Sequence, residues 1–241
     1  MLVYFELTVA ILIKCGDAKL TEELNKYADK CSFFFKRLFG LNEVDFNIFI
    51  HDSRNSLDNS LGRKTELWEV GNTRNNTIHI LSKEIFESQS SHKIEEFDSI
   101  LKHEICHIFY FAKFNESQPI WLNEGMSTYY GTPKKGDGLK KNIEYLKTLS
   151  FDKMHSQEEF RGISSKLRYE IVFAVINKLV KDFGESKLHI FIKSLNPPLT
   201  KERVKSIFER TFLKKSSDFF SELLVDIEDF EKPLKSSIEP L

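Results

Sequence analysis

The chain is short of the features that would force an unusual architecture. Its three cysteines, Cys15, Cys31 and Cys106, are an odd number without a CxxC pair, which excludes a disulfide framework and points to a reducing compartment. Long apolar runs are missing as well. The stretch 7–13, with Thr8 inside it, falls far short of the ~20 residues that a bilayer span needs, so no membrane partner is expected. The opening MLVYFELTVAILIKCGDAK has neither a leading positive charge nor a small-residue cleavage site; it reads as a β-strand, and the chain as cytoplasmic. Charge of one sign is also lacking. The 35 Lys and Arg offset 36 Asp and Glu to a net −1, so no whole-molecule field draws nucleic acid or anionic lipid. No internal repeat or low-complexity segment stands out.

What is present is an ordinary globular composition. Hydrophobic residues at 41% and charged residues at 29% argue against disorder, and 241 residues suffice for one compact domain or two subdomains sharing a core. The 22 Phe fall mostly in apolar-periodic segments and read as core packing.

In the first half, short β-branched and aromatic runs alternate with helical patterns. Strands are expected over 3–14, 45–51, 65–70 and 77–81, and a helix over 20–38 closed by Gly40. A loop rich in Asn, Ser and Arg follows His51, and Gly71-Asn72 with Asn75-Asn76 marks a tight connection. From about Lys93 to Phe230 the pattern is helical, broken near Gln118-Pro119, between Gly131 and Gly138, at Gly184 and at Pro197-Pro198. The expected fold is therefore α+β within a single domain over 1–231. A mixed sheet with helices (1–117) precedes an all-α subdomain (118–231), and 232–241 is a loosely docked tail.

The segment ILKHEICHIFYF sets His103, Glu104 and His107 inside an apolar helix as an HExxH motif. Helical residues four apart lie about 40° apart around the axis, so both imidazoles project from one face a turn apart, within reach of one metal ion. Neutral imidazole is a good zinc ligand, and Glu104 can stand beside a metal-activated water without ligating. The bland alternative is three polar groups satisfied by hydrogen bonds in a helix core, which costs several kcal/mol without a metal or a network.

Catalytic zinc takes a third protein ligand and keeps a fourth position open. Sixteen residues separate His107 from Glu124, which stands in the helical run PIWLNEGMSTYY; that spacing lets the first helix end, a loop turn at Pro119 and a second helix return antiparallel. Glu116 is nearer in sequence but sits in the polar turn 115–118, where it reads as a solvated loop charge.

HExxH followed by Trp-Leu-Asn-Glu-Gly resembles the gluzincin metallopeptidases, above all the zinc aminopeptidases and the smaller proteins that share their zincin-like catalytic domain. The resemblance covers about 97–184. It implies one zinc per chain held by His103, His107 and Glu124, with Glu104 as the general base, a peptide or protein as substrate, and the site between the two subdomains. The helical run KLRYEIVFAVINKLVKDFG is similar to the family helix whose tyrosine hydrogen-bonds the oxyanion, which points to Tyr169; His155, Tyr129 and Tyr130 compete for that role, and plain core packing is the alternative.

The chain also departs from the family. Its loop between the second histidine and the zinc glutamate is shorter than is usual. Where the aminopeptidases carry a Gly-Ala-Met-Glu-Asn segment that anchors a free amino group, this chain reads Val70-Gly71-Asn72-Thr73-Arg74-Asn75-Asn76, with no carboxylate. Thr128 stands where related sites often use a carboxylate to orient a ligand histidine. These departures support a rival reading, a catalytically inactive zinc-binding module that binds peptides or proteins. For an enzyme, an extended substrate is expected to add to a sheet edge at 77–81.

Overall fold

The structure, a computed structural model, describes residues 11–14, 18–131, 138–160 and 164–228. Two compact units divide between Lys113 and Phe114. The first is α+β and the second is helical.

The first unit runs β1 (Ile11–Lys14), α1 (Ala18–Phe39), β2 (Phe46–His51), α2 (Arg54–Leu61), β3 (Gly71–Arg74), β4 (Thr77–Leu81) and α3 (Phe97–Phe114). Its strands form one mixed sheet in the order β1-β2-β4-β3; β1 and β4 flank β2 in parallel, and β3 pairs antiparallel with β4. Alternation along the strands gives the sheet two unlike faces. Phe46 and Ile48 of β2, with Ile78 and Ile80 of β4, are buried on one face. There Phe109 of α3 lies 6.4 Å from Phe46 and 5.9 Å from Phe35 of α1, ring centre to ring centre. Phe49, His51 and His79 stack on the other face, against α2.

Three expectations need correction. The first concerns 65–70, which alternates like a strand but forms none. Its backbone groups are satisfied by side chains instead: Arg54 donates to Thr65 Oγ1 (2.7 Å) and to the carbonyls of Glu66 (2.9 Å) and Glu69 (3.1 Å), Asp58 Oδ1 accepts from Thr65 N (2.9 Å), and His92 donates to the Trp68 carbonyl (2.9 Å). The carbonyls of Glu66, Trp68 and Glu69 are thus taken up away from any ladder. The second is the connection at Gly71-Asn72, which is strand β3; the turn is Asn75-Asn76 alone, both at positive φ (49° and 54°), as a two-residue hairpin loop requires. The third is the sheet edge. Strand β4 is paired on both sides, and β3 is the edge strand. The stretch after His51 also holds a helix, α2, opened by Ser53, whose hydroxyl accepts from Ser56 N, and closed by Gly62 at φ 69°. Of the strand expected over 3–14, residues 3–10 lie outside the described residues, as does the tail 232–241.

The second unit is built from α4 (Ile120–Tyr130), α5 (Ile143–Leu146), α6 (Gln157–Phe160), α7 (Ser165–Phe183), α8 (Glu185–Ser194), α9 (Lys201–Phe212) and α10 (Ser216–Glu228). Gly184, at φ 80°, separates α7 from α8. The core is aromatic, with Phe151, Phe208 and Phe219 in mutual ring contact, Phe191 joining through Phe208, and Trp121 joining through Phe151 and Phe191. Lys178, 6% exposed, is neutralised by Asp182 (2.9 Å) and Asp226 (2.7 Å), an ion pair that ties α7 to α10. Among the described residues, no helix is long and apolar enough to cross a membrane.

The stacked histidines make stability depend on pH. His51, 1% exposed, contacts Ser56 Oγ through Nδ1 (2.9 Å) and His79 Nδ1 through Nε2 (3.0 Å). Burial first, and then the neighbouring His79, push its pKa down to about 4, and burial lowers that of His79 too. The folded chain thus keeps His51 neutral where the unfolded chain takes up a proton, so stability is full above the ordinary value near 6.5 and falls as the pH drops toward 4. Urea unfolding at pH 7.5 and 5.0 is expected to cost the wild type about 2 kcal/mol more on acidification than His51→Gln. Equal losses would show that His51 is not the group responsible.

Candidate metal centre

Helix α3 carries three polar residues inward. His103, Glu104 and His107 are 7–8% exposed, among Leu101, Ile105, Cys106, Ile108 and Phe109, which are all sealed. The two imidazoles meet nearly at right angles, and their Nε2 atoms are 3.1 Å apart. Two nitrogens on one tetrahedral zinc, each at about 2.0–2.1 Å, stand about 3.3 Å apart. The histidine pair therefore has the spacing that a shared metal ion demands. Glu124 of α4 completes the set: one ligand atom each from His103, His107 and Glu124 lie within 4.8 Å of one another. Two imidazole nitrogens and a carboxylate oxygen suit a divalent transition metal. The group could hold a metal ion.

Glu104 is held by the sheet. Thr73 Oγ1 of β3 lies 2.7 Å from Glu104 Oε2 and 3.0 Å from the Glu104 carbonyl oxygen. Gly71, two residues earlier on the same side of β3, comes so close that a Cβ there would stand 3.1 Å from Glu104 Cγ. Neither residue was expected at the site. An Asn-Asn pair between two short runs is a hairpin signal, and it would have turned 71–74 into a strand with Gly71 and Thr73 on one face.

Helix α4 owes its position to the second unit. Pro119 offers it no side-chain cap; the carbonyls of His155 and Met154 instead accept from Ile120 N (2.9 Å) and Trp121 N (3.1 Å). Asn123 Nδ2 donates to the Ser117 carbonyl at 3.2 Å. Gly125, next to Glu124, lets α4 lie directly on α7: a Cβ at this position would meet Ile176 Cγ1 at 2.8 Å and the Val172 carbonyl at 3.0 Å. Thr128 is fully buried, and its hydroxyl makes no hydrogen bond among the described residues.

The remaining expected residues are spread through the second unit. Tyr169 is half-buried on α7, one turn before Val172 and so on the side of α7 that meets α4. Of its competitors, Tyr130 donates its hydroxyl to Glu185 Oε1 (2.9 Å), and burial pushes the Tyr129 phenol up to about 12. His155 serves α4 through its backbone. Glu116 is not a merely solvated charge, because its Oε1 accepts from Leu199 N at 2.8 Å and pins the α8–α9 loop.

No protein-family model matches the chain, and neither does any curated protein. The chemistry must be argued from the residues.

Gly125→Ala offers a check on how α4 is held. In a free helix the change stabilises by about 1 kcal/mol, but here the new methyl group meets a backbone oxygen that cannot swing aside. A loss of about 1–3 kcal/mol in urea unfolding is expected, and a gain would mean that the α4–α7 contact is looser than described.

Proposed function

We propose that the protein is a zinc-dependent metallopeptidase that hydrolyses peptide bonds, with His103, His107 and Glu124 as metal ligands and Glu104 as general base. The observation that carries this reading is the convergence of the two buried Nε2 atoms, 3.1 Å apart, with a carboxylate of α4 beside them. Burying that much polar surface is costly unless a ligand satisfies it, and a cation does so at once. The resemblance of HExxH and Trp-Leu-Asn-Glu-Gly to the gluzincins supports the same assignment.

A zinc ion at this group would polarise a substrate carbonyl and acidify a water molecule. The chain's own residues supply the rest. Glu104, one residue from His103 on α3, takes the proton of the attacking water on a carboxylate oxygen and delivers it to the leaving nitrogen. Tyr169 is the proposed donor to the oxyanion. An extended peptide has an edge strand to join at β3, whose inner side touches Glu104. Arg74 and the absence of a carboxylate on β3 argue against a free amino terminus as the recognition element. Cytoplasmic location belongs to the same proposal: Cys31 is a buried thiol, pushed up to about 11 chiefly by burial, and needs no oxidising compartment.

One observation favours the rival reading of a zinc-binding module without turnover. The buried hydroxyl of Thr128 forms no hydrogen bond among the described residues, so it gives no ligand histidine the outer-sphere support that active sites commonly provide.

Elemental analysis and a mixed-peptide cleavage assay on the same preparations separate the two readings. Wild type is expected to carry about one zinc per chain and to cleave. His107→Ala should lose both properties, and Glu104→Gln should keep its zinc while turnover falls by roughly 100-fold or more. Zinc without cleavage would favour the binding module. Undiminished cleavage by Glu104→Gln would remove Glu104 as the base, and a wild type that takes up no metal would overturn the proposal.

A further inference from the structure

Gly71 and Thr73 are alternate residues of an edge strand, so they share one side of it, and that side meets Glu104. The contact is closely fitted. Thr73 Oγ1 lies 2.7 Å from Oε2 and 3.0 Å from the backbone carbonyl oxygen of the same glutamate; it has one proton to give, and the carboxylate is the stronger acceptor. From Gly71, a Cβ would reach to 3.1 Å of Glu104 Cγ and 3.3 Å of Oε1, so only glycine leaves the side chain its present room. One oxygen is held by a hydroxyl, and the stem is confined by backbone.

We propose that Thr73 is a positioning residue for Glu104: its hydroxyl fixes the rotation of the carboxylate and so sets the direction in which both oxygens present their lone pairs. The assignment rests on the metallopeptidase reading above and adds to it a residue that no part of the HExxH or Trp-Leu-Asn-Glu-Gly pattern contains. A proton acceptor must be aimed to within hydrogen-bond reach of the water it serves. A carboxylate at the end of three rotatable bonds is not aimed by its helix alone. Thr73 aims it from a strand that the helix does not control. Without that tether the carboxylate can also swing toward His103, one residue away on α3, and disturb the residues that would hold the metal.

Thr73→Val keeps the shape and the β-branching of the strand residue and removes the hydroxyl; Thr73→Ser keeps the hydroxyl. The full-length variants and wild type are loaded with Co2+ for visible absorption spectra and with Zn2+ for hydrolysis of fluorescein-labelled casein, and thermal melts record folding. Thr73→Val is expected to bind one metal per chain, to change the cobalt spectrum and to lose roughly 10-fold in kcat with little change in KM, as removal of one hydrogen bond to a charged group would cause. Thr73→Ser should restore both spectrum and kcat. A residue that merely pins β3 to α3 would move the melting temperature and leave both readouts alone, and that result overturns the proposal. Gly71→Ala, which crowds the same carboxylate from its other side, should reproduce the spectral change if Thr73→Val fails to fold, and a wild-type spectrum there counts against the tether. Wild type that takes up cobalt but leaves casein intact removes the peptidase reading and not the tether, which the spectrum alone then decides. Wild type that takes up no cobalt removes both.

Discussion

Three polar side chains buried in the middle of an apolar helix set the terms for the first unit. On α3, residues 100, 101, 105, 106, 108 and 109 are apolar and at most 7% exposed, and His103, Glu104 and His107 share that burial. An unpaired carboxylate in such surroundings costs several kcal/mol, comparable with the net stability of a whole domain. Each group therefore needs a partner at a fixed place. The histidines find one in each other, at the spacing a shared cation would use. Glu104 takes a donor from the sheet, the Thr73 hydroxyl at 2.7 Å.

That donor is in place only because of the strand register. The Asn75-Asn76 loop pairs Arg74 with Thr77, and the pairing then runs Thr73 with Ile78, Asn72 with His79 and Gly71 with Ile80. A slip of one residue would turn Asn72 and Arg74 toward Glu104, setting a side chain where a glycine must sit and a long cation in place of the Thr73 hydroxyl. Strand β4 cannot slip, because β2 holds it in parallel pairing from the other side. The approach to β3 is fixed as well. Arg54 binds the carbonyls of Glu66, Leu67, Glu69 and Gln89 and the hydroxyl of Thr65, and the Val70 carbonyl accepts from Leu81 N at 3.0 Å. One arginine on α2 thus bears on the aim of a carboxylate on α3, through a loop and a strand.

The sequence made some of this plain and hid the rest for identifiable reasons. HExxH in an apolar helix and a later helical glutamate are local patterns, so His103, His107 and Glu124 could be grouped from spacing, as could the mixed sheet followed by helices. Strand 65–70 went wrong because alternation records which side chains are apolar and says nothing of an arginine elsewhere that takes up the carbonyls. Strand β3 was hidden because Gly-Asn-Thr-Arg has almost no β-propensity and pairs only through the turn that follows it. Thr73 could not be seen at all from composition or periodicity, since its partner is 31 residues away and depends on register. Glu116 was misread for a similar cause: its acceptor role toward Leu199 N depends on a contact 83 residues distant.

Most of the Trp-Leu-Asn-Glu-Gly run serves the fold of the second unit without any metal. Trp121 is core, stacked with Phe191 and edge-on to Phe151, and its N–H is held by the Met154 carbonyl. Leu122 is buried, Asn123 closes the turn at Ser117, and Gly125 is the point where α4 touches the backbone of α7. Four of the five positions are thus accounted for by the fold of the second unit. Such a run could recur wherever a short helix must lie flush on a longer one, and by itself it would say little about chemistry. Glu124 is the exception. It carries the one charge of the run, and its ligand atom lies within 4.8 Å of those of His103 and His107.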